Sequence, residues 1–326
     1  MIRALICGVT GQDGSYLAKS LLDKGHQVWG TSRDAQTSSL RNLHQLGIAD
    51  RLHMVSMAPT DFRSVISVLK SCVPDEIYFL AGQSSVGLSF EQPVETLESI
   101  TTGTLNLLEA CRFLEREVRI YHAGSSECFG DIGDQPATED TPFHPRSPYA
   151  VAKASAHWLI DNYREAYGIY ACSGILFNHE SPLRPERFVT RKIVAAATRI
   201  AQGSDEVLQL GRLDVVRDWG WAPEYVEAMQ LMLQQQKPQD FIIATGKSHT
   251  LQDFVETTFS KFDLDWKEHV EIEPRLCRPS DLACSSASPK LAAEVLGWRA
   301  EYSMPDVIDK MLEFELRHSG QTEPEK

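Results

Sequence analysis

The sequence predicts an α/β protein: a doubly wound parallel sheet with a smaller, interleaved C-terminal domain. Three observations predict it. Short apolar runs alternate with amphipathic stretches through the first half of the chain, which is the pattern of βαβ units. A G-x-x-G-x-x-G turn at Gly8, Gly11 and Gly14 follows the first apolar run and opens a helical stretch. The alternation then stops near Phe177, beyond which loops, charge and isolated helices take over.

In chain order, residues 4–8, 27–31, 76–81, 119–124 and 171–176 read as strands, rich in Val, Ile, Leu and aromatic residues. Residues 15–24, 61–71, 96–113 and 150–167 carry apolar positions at helical spacing. This first part, residues 1–177, is expected to be a Rossmann-type nucleotide-binding domain, rejoined by about 216–245. Residues 178–182 read as a loop, 189–202 as a helix carrying Arg191, Lys192 and Arg199, 211–221 as a loop and 223–234 as a helix. Residues 178–215 and 246–318 are assigned to the substrate-binding domain, and polar residues 319–326 to a flexible tail.

A net charge of -13 repels phosphate backbones and argues against nucleic-acid or anionic-membrane partners. Seven scattered cysteines with no C-x-x-C pair point to reduced thiols rather than a disulfide framework or metal site. Residues 3–7 read as a strand with no secretory pattern, and no apolar run spans a bilayer, so a cytoplasmic protein is expected.

Gly8-Val9-Thr10-Gly11-Gln12-Asp13-Gly14 suits a dinucleotide, because glycine lets the backbone approach a pyrophosphate at a helix N-terminus. The second strand ends in Ser32-Arg33. A neutral hydroxyl and a planar cation favour NADP over NAD, although Asp34 follows at once and Arg33 also fits a plain surface role.

Tyr149 and Lys153 form a Y-x-x-x-K pair on one helix face, a pattern common by chance when alone. Here Ser125 lies 24 residues upstream at a strand end, where ligands bind in such sheets. A nearby ammonium and a cationic nicotinamide would favour the Tyr149 phenolate, making it a general base. Glu127 brings a carboxylate to the same place. An alcohol oxidation has no need of it, whereas a dehydration must remove one proton and protonate a leaving hydroxyl.

With these residues in view, the chain resembles the extended short-chain dehydrogenase/reductase family, and within it the GDP-mannose 4,6-dehydratases, from Leu5 to about Trp298. The likeness is carried by VTGQDGSYLAK, PRSPYAVAK, NYREAYG, GILFNHESPLR, FVTRKI, RDWGWAPEYVEAMQLMLQ and IATGKSHT. It implies a lyase making GDP-4-keto-6-deoxy-mannose by internal hydride transfer through NADP that stays bound. Tyr149 would take the proton of the hydroxyl on sugar carbon 4, and Glu127 would take the carbon 5 proton and assist water loss from carbon 6. Lys153 would tune Tyr149 and hold the nicotinamide ribose. By position, Leu80, Ala81, Gly82, Gln83 and Ser84 would line the cofactor, as would His179 and Arg184. Asn178, Lys192, Arg217 and Arg278 would hold the GDP part, Ser85 would stand beside the sugar, and a homodimer or homotetramer is implied. A structural salt bridge is the competing role for Arg217 and for Arg278, and a core histidine for His179.

Four positions depart from the family pattern. Ser125 replaces a Thr while keeping the hydroxyl, and Gly124-Ser125-Ser126-Glu127 is also similar to related GDP-4-keto-6-deoxy-mannose reductases. Residues 55–59, after a third strand, lack an acid expected near the adenine. Leu183 stands for one of two arginines tied to contacts across subunits, and Ser85 is smaller than usual. The alternatives are a GDP-4-keto-sugar reductase or epimerase and, from another class, a non-catalytic NADP sensor.

Overall fold

The computed structural model describes residues 1–133 and 135–318; the tail assigned to 319–326 lies outside the described residues. Its strands are β1 Arg3–Cys7, β2 Gln27–Ser32, β3 His53–Ser56, β4 Glu76–Phe79, β5 Arg119–Ala123, β6 Ala171–Leu176, β7 Asn178–Glu180, β8 Leu208–Leu210, β9 Val216–Trp221, β10 Phe241–Ile243, β11 Ser248–Thr250 and β12 Val270–Ile272. Its α-helices are α1 Gln12–Asp23, α2 Arg41–Gln45, α3 Phe62–Cys72, α4 Val86–Glu91, α5 Pro93–Leu97, α6 Gly103–Phe113, α7 Pro148–Tyr167, α8 Val189–Ala201, α9 Ala222–Leu233, α10 Leu251–Ser260 and α11 Met304–His318.

Seven parallel strands form the main sheet in the order β10-β6-β5-β4-β1-β2-β3. The direction of winding reverses between β1 and β4, which opens a crevice at the strand C-termini. Every second side chain of a strand faces the same layer. Ala4 and Ile6 of β1 therefore join Tyr78 and Tyr121 in a core against α1 and α9, while Leu5 and Cys7 join Ile77, Phe79 and Ile120 in a core against α3 and α6. Both faces being covered explains why these strands read as continuous apolar runs.

A second body packs α8, α10 and α11 around β9, with Phe254, Phe259, Trp219 and Val307 at its centre. The expected loops at 178–182 and 211–221 are corrected here. Asn178–Glu180 and Val216–Trp221 pair as parallel strands, with β11 antiparallel on the other side of β9. Their polar sequence hid them: the Asp218 carboxylate in β9 is fully buried and takes bonds from the Thr245 N–H, the Thr245 hydroxyl and the Gly246 N–H. The helix expected over 96–113 is broken by a wide π turn at Glu98–Thr102 into α5 and α6. Strand β3, only four residues long, escaped the sequence pattern as well. The helices at 61–71 and 150–167 are present and capped by Asp61 and Ser147.

Candidate active site

The glycine turn between β1 and α1 is shaped for a close approach. Gly8 sits at φ +87°, and a Cβ there would meet the Ala81 backbone at 3.1 Å. A Cβ at Gly14 would strike the Gly8 carbonyl and lie 2.7 Å from Val9 Cα. Side chains at these positions would push the turn away from β4 and from the first turn of α1, where N–H groups lack helical partners and can meet an anion. Leu80 and Ala81, at the end of β4, lie against Gly8.

The floor of this turn is knitted to β7. Gln12 Nε2 donates to the His179 carbonyl at 3.1 Å and to Asp13 Oδ1 at 3.0 Å, and the Ser181 hydroxyl donates to Gln12 Oε1 at 2.8 Å. His179 is buried, stacked on Tyr225 at 4.4 Å, and its Nε2 lies 2.9 Å from Asp13 Oδ2. Burial opposes charge on both partners, but their mutual attraction outweighs it, so Asp13 is held below its ordinary value and His179 above. His179 thus braces the cofactor turn from beneath.

At the end of β2, the Ser32 hydroxyl is buried with no partner among the described residues, and Arg33 stands exposed, 3.4 Å from Glu95. An orphaned hydroxyl beside a guanidinium fits a phosphate on the adenosine ribose. Gln83 turns inward on its own loop: its Nε2 donates to the Ser85 carbonyl at 2.8 Å and to Thr96 Oγ1 at 3.2 Å. Ser84 is exposed, Thr10 is half-buried, and Ser85 caps α4 through Leu88 N–H.

Ser125, Tyr149 and Lys153 converge. Ser125 follows β5 and caps a short turn carrying Glu127, its hydroxyl accepting from the Glu127 N–H at 3.3 Å, and the same hydroxyl draws the Tyr149 phenol down. Pro148 at the first helical position and the Ser147 cap place Tyr149 and Lys153 on one buried face of α7. Lys153 Nζ donates to the Ala123 carbonyl at 2.8 Å and sits 5.9 Å from the Tyr149 ring centre. Burial pushes the phenol well up, while the Ser125 hydroxyl and the Arg184 guanidinium draw it down. Lys153 is itself pulled down to about 8 by burial. Arg184 thus adds a second cation near the phenol, beside the Lys153 ammonium. Arg184 is held by an ion pair to the buried Glu180 at 3.0 Å and lies over the Phe188 ring.

Glu127 faces a charge cluster. Burial pushes its carboxyl up, Arg217 and Arg278 draw it down, and Asp281 and Asp131 push it further up. Arg217 is buried; its Nη1 donates to the Leu282 and Val216 carbonyls, both at 2.9 Å, and its Nη2 lies 3.2 Å from Asp281 Oδ1. Arg278 Nη1 is 3.6 Å from the same oxygen. A carboxyl held up in this way keeps a proton at higher pH than an exposed one, which suits a group that must both accept and return it. Lys192 is set apart, its amine donating to the Gln209 carbonyl at 2.7 Å, and Asn178 opens β7 half-buried.

Sequence reasoning missed Asp131, Asp281, Glu180 and Thr190. Asp131 accepts from Ala283 N–H at 2.8 Å and binds the 283–284 backbone to the Glu127 loop, and Thr190 bonds Glu180 at 2.7 Å. Glu180 stands within the NHESP stretch and could have been read from it. The two aspartates sit in loops with no spacing signal.

The family model described as GDP-mannose 4,6 dehydratase matches residues 5–311. The Arabidopsis thaliana protein named GDP-mannose 4,6 dehydratase 1 is 45% identical, over 96% of this chain and 89% of its own. GDP-mannose 4,6-dehydratase of Yersinia enterocolitica serotype O:8 is 43% identical, over 98% of this chain and 95% of its own. Among solved structures, the Thermus thermophilus UDP-glucose 4-epimerase complex with NAD aligns with a TM-score of 0.85 at 26% identity, covering 97% of this chain and 99% of that one. A dTDP-glucose 4,6-dehydratase from Streptomyces venezuelae, with NAD and TYD bound, aligns at 0.88 and 22% identity over 99% of each chain, a likeness of fold alone.

Proposed function

The chain belongs to the GDP-mannose 4,6-dehydratase family, and from that premise we propose which of its residues bind and which react. It is a hydro-lyase that converts GDP-mannose to GDP-4-keto-6-deoxy-mannose. The reading of the site rests on one observation: Glu127 is buried two residues from Ser125, near enough to Tyr149 for its charge to push the phenol up.

NADP, when bound over this group, supplies the hydride acceptor for carbon 4 and the hydride donor for carbon 6. Gly8, Gly11 and Gly14 accommodate its pyrophosphate, with Thr10, Gln12 and Asp13 completing the turn. Leu80, Ala81, Gln83 and Ser84 line it, and His179 and Arg184 support it from the β7 side. The orphaned Ser32 hydroxyl and exposed Arg33 support NADP over the NAD named with the structural relatives. Ser125 holds the oxygen on carbon 4 while Tyr149 takes its proton. Lys153 holds the nicotinamide ribose. Glu127 takes the proton from carbon 5 and gives it to the hydroxyl leaving carbon 6, so one carboxyl serves both halves of the elimination; as carbon 6 then gains its hydride, Tyr149 gives up the proton it took and carbon 5 takes one in place of that lost. Asn178, Lys192, Arg217 and Arg278 anchor the GDP moiety, and Ser85 borders the sugar.

On this reading residues 1–177 and about 216–245 mainly serve the cofactor and 178–215 with 246–318 mainly the sugar nucleotide, with exchanges at the seam: β9, packed in the second body, brings Arg217 to the GDP moiety, and His179 and Arg184 reach back to the cofactor. A homodimer or homotetramer is in keeping with exposed Val94, Val151 and Trp158 on the adjoining helices α5 and α7. No helix of the described residues is long and apolar enough to cross a membrane; a cytoplasmic site accords with the free cysteines.

Purified protein incubated with GDP-mannose tests the reaction. A lyase forms the 4-keto product without consuming added NADPH. Stoichiometric consumption would instead mark a reductase. The nucleotide released on denaturation distinguishes NADP from NAD.

A further inference from the structure

Arg217 has two differently held ends. Its Nη1 is fixed by two backbone carbonyls, those of Val216 and Leu282. Among the described residues its Nη2 is bonded to a side chain, Asp281, at 3.2 Å, and the same Asp281 oxygen lies 3.6 Å from Arg278. The segment that follows is tied down independently of Asp281. Ala283 N–H donates to Asp131 at 2.8 Å, Val216 N–H to the Ala283 carbonyl at 2.8 Å, and Ser285 N–H to the Val216 carbonyl at 3.0 Å. Arg217 would therefore keep its place if Asp281 moved away. One carboxylate bridging two guanidiniums has the charge and span of one phosphate group.

We infer that Asp281 is a resident anion on the diphosphate subsite, exchanged for the two phosphates of the sugar nucleotide when it docks. The inference rests on the assignment of Arg217 and Arg278 to the GDP moiety made above, whose diphosphate is the part that guanidiniums suit. Two phosphates and a carboxylate cannot share the same pair of cations, because like charges at such distances repel. A ligand must outcompete the carboxylate, so a diphosphate is accepted and a monophosphate is penalised. Asp281 is thereby a specificity-determining residue that contacts no part of the sugar.

The test is titration of GDP and GMP into the full-length protein and into Asp281→Asn, with Asp281→Ser as a second variant should the first fold poorly. Removing the carboxylate is expected to lower the Kd for GDP about fivefold, the scale of one partly exposed ion pair. The preference for GDP over GMP should narrow, and KM for GDP-mannose should fall by more than kcat. Asp281→Glu, which keeps the charge, should restore the original Kd. Asp214→Asn, which removes an exposed charge paired with Arg212, controls for overall charge. Equal tightening in Asp214→Asn would overturn the inference, as would Asp281 variants that bind GDP no better than the parent. If Arg278→Ala leaves GDP binding intact, the diphosphate assignment itself falls; if Arg278→Ala weakens binding but Asp281→Asn does not tighten it, only the exchange falls.

Discussion

The two walls of the site are built differently. On one side, the glycine turn, Ser125, Tyr149 and Lys153 stand at strand ends and helix starts of the main sheet, and the backbone positions them. On the other, Glu127, Arg278 and Asp281 come from a short turn and a loop and meet Arg217 of β9, and charge pairs and a few carbonyls position them. The first wall is stiff because moving it means moving a sheet buried on both faces. The second can rearrange at the cost of exchanging one ion partner for another. The hydride-transfer step, which needs fixed geometry, sits on the stiff wall, and the charged ligand is recognised on the adjustable one, where Glu127 alone takes part in the chemistry. Loss of Ser125, Tyr149, Lys153 or Glu127 should therefore depress kcat, and changes at Arg217, Arg278 and Asp281 should chiefly move affinity.

Tyr149→Phe is the hardest blow to this contrast. Loss of the phenolic oxygen should cut turnover by about 10²–10⁴-fold while the protein still releases NADP on denaturation; retained turnover would move the base to another group. Glu127→Gln comes next. Oxidation at carbon 4 should continue slowly, visible as reduced-cofactor absorbance, while 4-keto-6-deoxy product fails to appear. Water loss at the parent rate would place the acid elsewhere.

Arg33→Ala is a gentler probe at the rim of the stiff wall. It should weaken NADP about tenfold relative to NAD, equivalent to about 1.4 kcal/mol, as judged by competition between the two nucleotides. An unchanged ratio would leave Arg33 to its contact with Glu95.

The smallest effect concerns the brace under the glycine turn. The His179 value is raised in the fold, so its contribution to stability is full below the ordinary imidazole value of about 6.5 and fades as pH rises through the raised value. Asp13 is lowered, so its contribution is present above the ordinary carboxyl value of about 3.9 and fades as pH falls through the depressed one. Thermal unfolding of Asp13→Asn should therefore lose the decline in stability that the parent shows above about pH 6.5. A parent profile identical to the variant's would mean that His179 is neutral throughout.

The stiff wall was legible in the sequence for the same reason that it is stiff. Regular strands and helices impose periods, so Gly8, Ser125, Tyr149 and Lys153 could be placed from spacing before any coordinates. The adjustable wall left no such trace. Glu127 and Arg217 were found by resemblance and by the demands of dehydration, and Asp131 and Asp281 were not found at all, because a loop carboxylate looks the same whether it meets water or an arginine. Strand β9 was misread because its Arg217-Asp218 pair imitates a loop, although Asp218 is fully buried and takes bonds from the Thr245 and Gly246 N–H groups. The pairing of Lys153 with Ala123 could not be foreseen either, since a lysine carries no label for which carbonyl will receive it.

Strand β10 has a further consequence. The chain leaves the seven-stranded layer after β6, builds β7 and β9 elsewhere, and comes back to lay Phe241–Ile243 along the outer edge of β6. Helix α9, made on the return journey, covers Tyr78 and Tyr121. A ribosome that has released only the first 177 residues has thus produced a layer with one face covered only in part, by α1, and one unsealed edge. The nascent chain must wait for about seventy more residues before either is fully covered, so chaperones should engage this enzyme during that interval rather than at its end.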